Sequence, residues 1–277
     1  MNIRKTIEET AHRWLGEVYG YCRDCFSGVF LPSHDETHHL RAWFFATELI
    51  PGYHRNIHPL TPALTEGTLL AVMLHDTGMA ETTDVTHGLA GRRKAEEFFR
   101  RTTLPSLAPA ILEAIEKHDD KSYTSHIPRN TEPGIILSLL SLADDMDAFG
   151  ATGVFRYYEI YLLRGIPVTE LGGRVLPNLD HRFHTMAARL KSWPAILKEQ
   201  EKRYRYTRRF YEDLQTDHAG AGEVTRLFER FILRPRHKPG EALPEILANA
   251  GTDYAQDFFT VMQQELSSYT VQPDKLR

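Results

Sequence analysis

The sequence predicts an all-α protein. Three observations carry that expectation. Apolar residues recur at helical spacing along nearly the whole chain, helix start and stop residues punctuate the pattern, and no run of alternating β-branched residues marks a strand. With 277 residues the chain is long enough to bury a sizeable core, either as one large domain or as a core with an appended subdomain.

Taken in order, residues 3 to 26 read as an amphipathic helix with Ile3, Ile7, Thr10, Trp14, Val18 and Tyr21 on one stripe, ended by the break from Gly28 to Pro32. Ser33, Asp35 or Thr37 can cap a second helix from about His38 to Ile50, which the loop PGYHRNIHPLTP then ends. A third runs from Pro62, a permitted first-turn position, into the adjacent pair His75-Asp76, and Gly78 stops it. A polar turn over 77 to 86 follows. Further helices are expected over THGLAGRRKAEEFFRR, where Leu89, Ala90, Arg93, Glu97 and Phe98 keep helical register, over Pro105 to Asp119, and over Gly134 to Phe149.

Beyond Gly150 the pattern changes. Residues 151 to 164 continue as a helix, GIPVTELGGRVLPN reads as a Gly/Pro-rich connector, and residues 180 to 217 read as one long charged helical tract. Two more helices, around 222 to 234 and 242 to 268, complete the chain. The expected organisation is a core over residues 1 to 150 holding the polar motifs and a helical extension over 151 to 277.

Composition excludes several classes. Hydrophobic residues make up 42% and charged residues 25%, an ordinary globular balance, and a net charge of -4 gives no broad nucleic-acid footprint. The basic run from Lys202 to Arg209 is interleaved with aromatics and reads as one helix face rather than an RNA surface. No apolar stretch at the N-terminus suits a secretory signal, and no later segment reaches about 18 uncharged apolar residues, so a soluble cytoplasmic protein is expected. Cys22 and Cys25 form a lone Cys-x-x-Cys, which rules out a four-thiolate zinc site within one chain and, without a βαβ pattern around it, does not suggest redox chemistry.

The 14 histidines are the compositional oddity, because many fall at helix ends beside acids. His38 opens a helix, His75-Asp76 closes one, His87 opens another, His118 closes another, and Asp144 lies within a fifth. Side chains from different helices of a bundle can converge on one interior point. Four imidazoles and two carboxylates suit Fe, Mn, Co, Ni or Zn, and the mixed nitrogen and oxygen set argues against a dedicated Ca²⁺ cage. Six donors exceed the need of one tetrahedral ion. A bridging carboxylate, most naturally Asp76, would let the set hold two ions about 3.5–4 Å apart.

The ordered series His38, His75-Asp76, Asp144 resembles the HD superfamily of metal-dependent phosphohydrolases, named for its His-Asp doublet. The local likeness goes further. His34-Asp35-x-x-His38-x-x-Arg41 is similar to the H-D-x-x-H-x-x-R-V start of one bacterial HD subfamily, MLHDTG to its doublet, Ala143-Asp144-Asp145-Met146-Asp147-Ala148-Phe149-Gly150 to its A-D-x-L-D-A-x-G segment, and Gly153-Val154-Phe155-Arg156 to its G-I-x-R. These motifs span residues 34 to 156. The resemblance implies an HD-domain helical bundle with a C-terminal extension, in which His38, His75, Asp76 and Asp144 bind metal. His87 and His118 match positions that add ligands for a second ion in some subfamilies; the competing readings are a helix cap for His87 and a dipole contact for His118. One departure stands out. Relatives reading H-D-x-G-K place a lysine where this chain has Met79, so a phosphate contact must come from Arg41, Arg92, Lys94, Lys117 or Arg156, of which Arg156 is the best motif match.

The expected chemistry is hydrolysis of a nucleotide or other small phosphate ester by water activated on one or two divalent transition-metal ions, with Mg²⁺ also admitted. Asp76 is then central to catalysis. Asp119, Asp120, Asp147 or a metal-held water is the source of a proton for the leaving group, and Arg156, Arg41 and Lys117 are the candidate substrate contacts. His34, Asp35 and Asp147 can orient ligands from behind, while His181 and His184 lie at a pocket mouth or on a plain helix surface. No Gly-x-Ser-x-Gly elbow and no Gly-x-x-x-x-Gly-Lys-Ser/Thr loop offers another mechanism. Two rival readings stay open: a di-iron oxygenase on the same scaffold, and a non-catalytic metal-stabilised sensor or binding module. No membrane partner is expected, and a homodimer is left open.

Overall fold

The computed structural model describes residues 2–84, 86–120 and 127–269. Among these the chain is all-α, with twelve α-helices, a few 3-10 and π turns, and no strand. It divides into two compact units, one ending at Met146 and the next beginning at Asp147. None of the described helices is long and apolar enough to cross a membrane.

The first unit comprises α1 (Ile3–Cys25), α2 (Glu36–Asn56), α3 (Pro62–Leu74), a 3-10 turn (His75–Ala80), α4 (His87–Arg101), α5 (Ala108–Lys117) and α6 (Glu132–Asp147), whose last residue lies past the division. Its centre is α3. Thr61 accepts from the Leu64 N–H to cap it, Pro62 takes the first turn, and every residue from Leu69 to Leu74 is fully buried. Helices α1, α2 and α5 pack around it, which is why its sequence is apolar on all sides rather than striped. Truncating one of these leucines to alanine would cost about 2–5 kcal/mol.

Helix α2 overturns an expectation. It is capped by Asp35, which accepts from the Thr37 N–H at 3.0 Å, but it does not end near Ile50; it runs through Pro51 to Asn56. Proline deletes one backbone bond and crowds the preceding turn. The buried side chains Leu49, Ile50 and Tyr53 on either side of it hold the helix on the core.

The segment after α3 also differs from the sequence reading. The pair His75-Asp76 does not close an α-helix, and no solvated polar turn follows directly. Instead α3 stops at Leu74 and the chain tightens into the 3-10 turn, with His75, Asp76, Thr77, Gly78 and Met79 all buried. Two glycines allow this. A Cβ on Gly78 would lie 2.1 Å from the His87 carbonyl oxygen and 2.3 Å from the Gly91 nitrogen, and one on Gly91 would lie 2.5 Å from the His75 carbonyl oxygen. Gly78 is therefore a close-approach residue that lets the turn rest directly on α4.

The second unit holds α7 (Gly150–Leu163), α8 (Leu171–Arg189), α9 (Pro194–Gln215), α10 (Ala219–Phe228), α11 (Pro239–Asn249) and α12 (Asp253–Ser268). Three expectations fail here. Most of the predicted connector 165 to 178 is the start of α8, including Pro177, because Gly172 permits close packing: its Cβ would sit 2.6 Å from the Gln215 Cβ and 2.8 Å from the Tyr211 carbonyl oxygen of α9. The single tract 180 to 217 is broken by a 3-10 turn at Leu190–Ser192, with Pro194 starting α9. The helix expected over 242 to 268 is two helices, α12 being restarted by Thr252, which accepts from the Ala255 N–H. Buried rings of Phe155, Phe210, Phe228, Phe258 and Phe259 form the core of this unit.

The basic run on α9 is charge-paired. Lys202 pairs with Glu199, Arg203 with Glu265, Arg205 with Glu201, Arg208 with Glu212 and Arg209 with Asp213. In the first unit the Cys22 thiol donates to the Met73 carbonyl, and burial pushes both Cys22 and Cys25 above the ordinary thiol range, so neither is poised as a thiolate.

Candidate metal centre

The structure brings six side chains from five elements of the first unit into two groups that share one residue. His38, His75, Asp76 and Asp144 form a wholly buried group; Asp76, His87 and His118 form the other, in which only His87 is part-exposed. The first group converges from α2, the 3-10 turn and α6. His38 Nε2 lies 3.2 Å from His75 Nε2, and the two nitrogens lie 3.4 and 3.3 Å from Asp76 Oδ2 and 3.8 Å each from Asp144 Oδ1. The second group uses the other carboxylate oxygen: Asp76 Oδ1 is 2.8 Å from His118 Nε2 and 3.5 Å from His87 Nε2. Asp76 thus faces one group with each oxygen.

Three of the four imidazoles are fixed in the same way. His75, His87 and His118 each donate from Nδ1 to the carbonyl three residues earlier, that of Val72, Asp84 and Ile115, at 2.8, 2.7 and 2.6 Å. That bond sets the tautomer, so a neutral ring turns a bare Nε2 lone pair towards the Asp76 carboxylate. Lone pair facing carboxylate is repulsive. Only a cation between them, a proton or a metal, makes the arrangement favourable.

Burial decides which cation suits each ring. Burial lowers the His118 pKa, outweighing its Asp76 contact, so a proton is disfavoured there. At His75 burial also opposes the charge, but Asp76 and Asp144 overcome it and push the imidazole up to about 10. Asp76 itself is held well below the usual carboxylate range: burial would raise it, and His75, His118 and His38 together prevail. At His87, burial is again overcome by Asp76, and the pKa rises. Donors bound at about 2.0–2.2 Å to a common ion must lie within about 4.4 Å of one another. The separations of 3.2–3.8 Å in the first group meet that condition, and the donor set suits a divalent ion.

Comparison with protein families matches residues 36–151 to the HD domain, a span that contains all six donors. Residues 36–151 are an HD domain. No curated protein and no solved structure matches the chain significantly.

The other residues singled out in the sequence are placed less uniformly around the HD domain. Asp119, beside His118, brings Oδ2 to 3.6 Å from His87 Nδ1; that oxygen is buried and makes no hydrogen bond. Arg41 is buried on α2, where Nη1 donates to Thr37 Oγ1 at 3.2 Å. Lys117 is half-exposed and pairs with Glu116 at 2.7 Å. Arg92 pairs with Glu96 and Glu116, and Lys94 with Glu81. Arg156 and Asp147 belong to the second unit, where they form a buried pair at 3.1 Å. His34 accepts or donates at 2.6 Å with Ser33 Oγ, and its ring lies 5.5 Å from that of His38. Asp35 is the α2 cap, and His184 bonds its own helix through the Asp180 carbonyl.

One residue of the HD domain had no signal in the sequence. His39 is fully buried and its ring touches those of both His38 and His75. Burial holds its pKa well below the ordinary imidazole value. Adjacent residues on a helix point about 100° apart, so nothing in the spacing suggests that His39 and His38 serve one site.

Proposed function

We propose that this chain is a metal-dependent phosphohydrolase acting on a nucleotide or other small phosphate ester. The observation that carries the reading is the division of Asp76 between two buried imidazole groups within an HD domain, the His/Asp arrangement typical of HD phosphohydrolases. His38, His75, Asp76 and Asp144 would hold one ion, and Asp76, His87 and His118 a second. Ions bound there supply positive charge against the charge developing on a phosphoryl group and lower the pKa of water towards neutrality.

The residues of the chain do the rest. The three Nδ1–H bonds to backbone carbonyls keep the imidazoles from turning, so the site is organised before substrate arrives. Arg41 is the phosphate contact we favour among the cations of the HD domain, because it lies three residues after His38 and so shares its helix face. Asp119, at the part-exposed His87 side of the site, is placed to pass a proton to a leaving oxygen. Asp147 is engaged by Arg156, which favours Asp119 for that role.

The test is elemental analysis of protein purified without added metal, followed by a phosphate-release screen of nucleotides and sugar phosphates with Mn²⁺, Co²⁺, Ni²⁺ and Mg²⁺. Metal-dependent phosphate release supports the reading. A ferrous preparation that consumes O₂ with an organic substrate and releases no phosphate would replace it with an oxygenase, and bound metal with no turnover of any kind would leave a binding module.

A further inference from the structure

The imidazole next in sequence to His38 poses a question that packing alone does not answer. His39 has no solvent exposure, and neither ring nitrogen makes a hydrogen bond. A buried polar group left unbonded is destabilising, and an apolar ring of similar shape would not carry that penalty. Such a group in a folded protein calls for an explanation.

Its surroundings supply one. The His39 ring lies 5.4 Å from His38, 5.4 Å from His75 and 5.8 Å from Phe26, and the His38 and His75 rings are themselves 5.1 Å apart. The three imidazoles therefore form a closed triangle. Two of its corners send Nε2 to within 3.2 Å of each other, and the third makes tilted contacts with both, at 55° and 59°. Any shift of His39 moves the ring of His38, of His75 or of both.

We infer that His39 is a positioning residue for the metal centre, its buried imidazole setting the mutual orientation of His38 and His75. The inference rests on the metal-binding reading of the HD domain. A positioning residue of this kind acts on affinity and on the electronic environment of the ion, in the range of about 10–100-fold for groups that orient ligands. A residue that only fills space would act on stability.

The experiment compares wild-type full-length protein with His39→Phe and His39→Gln, stripped of metal by chelation and titrated with Co²⁺. Dissociation constants, the visible spectrum of bound Co²⁺ and the melting temperature of the metal-free form are measured for each. His39→Phe is expected to melt no lower than wild type, because an unbonded polar ring has been replaced by an apolar one, yet to bind Co²⁺ about 10–100-fold more weakly with an altered spectrum. His39→Gln, which keeps a polar group but loses the ring, is expected to weaken binding similarly. Wild-type affinity and spectrum in either folded variant would overturn the role, whatever happens to the melting temperature. Failure of both variants to fold by circular dichroism would overturn it too, by making His39 a folding residue. Absence of Co²⁺ binding in wild type would instead remove the metal centre itself.

Discussion

His118 Nε2 lies 2.8 Å from Asp76 Oδ1, while Asp76 Oδ2 faces His38 and His75 at 3.4 and 3.3 Å. One short side chain, placed by a 3-10 turn at the end of the central buried helix α3, thereby joins two imidazole groups contributed by four different elements.

Asp76→Asn preserves shape and removes the charge shared by both groups. Metal content should fall at both, and metal-dependent phosphate release should drop by roughly 10²-fold or more, with helical content unchanged. Full activity after chelation and metal replacement would exclude the assigned role.

His118→Ala removes a donor from the second group only. Elemental analysis should show lower metal stoichiometry while the group around His38 and His75 still binds. An unchanged stoichiometry would favour a single ion.

Metal binding should release protons. In the metal-free protein His75 is raised from 6.5 to about 10, so it carries at neutral pH a proton that a metal must displace. Apparent affinity should therefore climb as pH rises towards about 10, by up to about tenfold per unit for each proton released. The same raised pKa stabilises the metal-free fold; that contribution is fully present below about pH 6.5 and is lost as pH rises through about 10. Calorimetry in buffers of different ionisation enthalpy counts the protons, and a count of zero at neutral pH would contradict the assignment.

Gly78→Ala places a methyl group against the His87 carbonyl and the Gly91 nitrogen. The turn and α4 must separate, at a cost of about 1–3 kcal/mol, and the start of α4 carries His87 with it. A lower melting temperature together with weaker binding at the His87 and His118 group is expected; an unchanged melting temperature would show that the contact yields easily.

The sequence by itself determined the helical class and singled out the six side chains that the structure brings together. Helical spacing of apolar residues is a local property, readable from neighbours three and four places away, and it found nearly every helical stretch. The residues His38, His75, Asp76, His87, His118 and Asp144 were legible as a set because imidazoles and carboxylates at helix ends are rare enough in an apolar bundle to stand out. Where helices break was less legible. Pro51 and Pro177 lie inside helices and Gly172 inside a helix contact, because burial against other segments outweighs the local preference of these residues.

Tertiary structure alone decided how the donors divide. That Asp76 turns one oxygen to each group, that Arg92 is taken by Glu116, and that His39 is wedged behind two candidate ligands all depend on residues far apart in sequence meeting at a few ångströms. Periodicity reports which face of a helix is apolar. The distance between two faces is set by the smallest side chains between them, here Gly78 and Gly91, and those contacts leave no pattern along the chain.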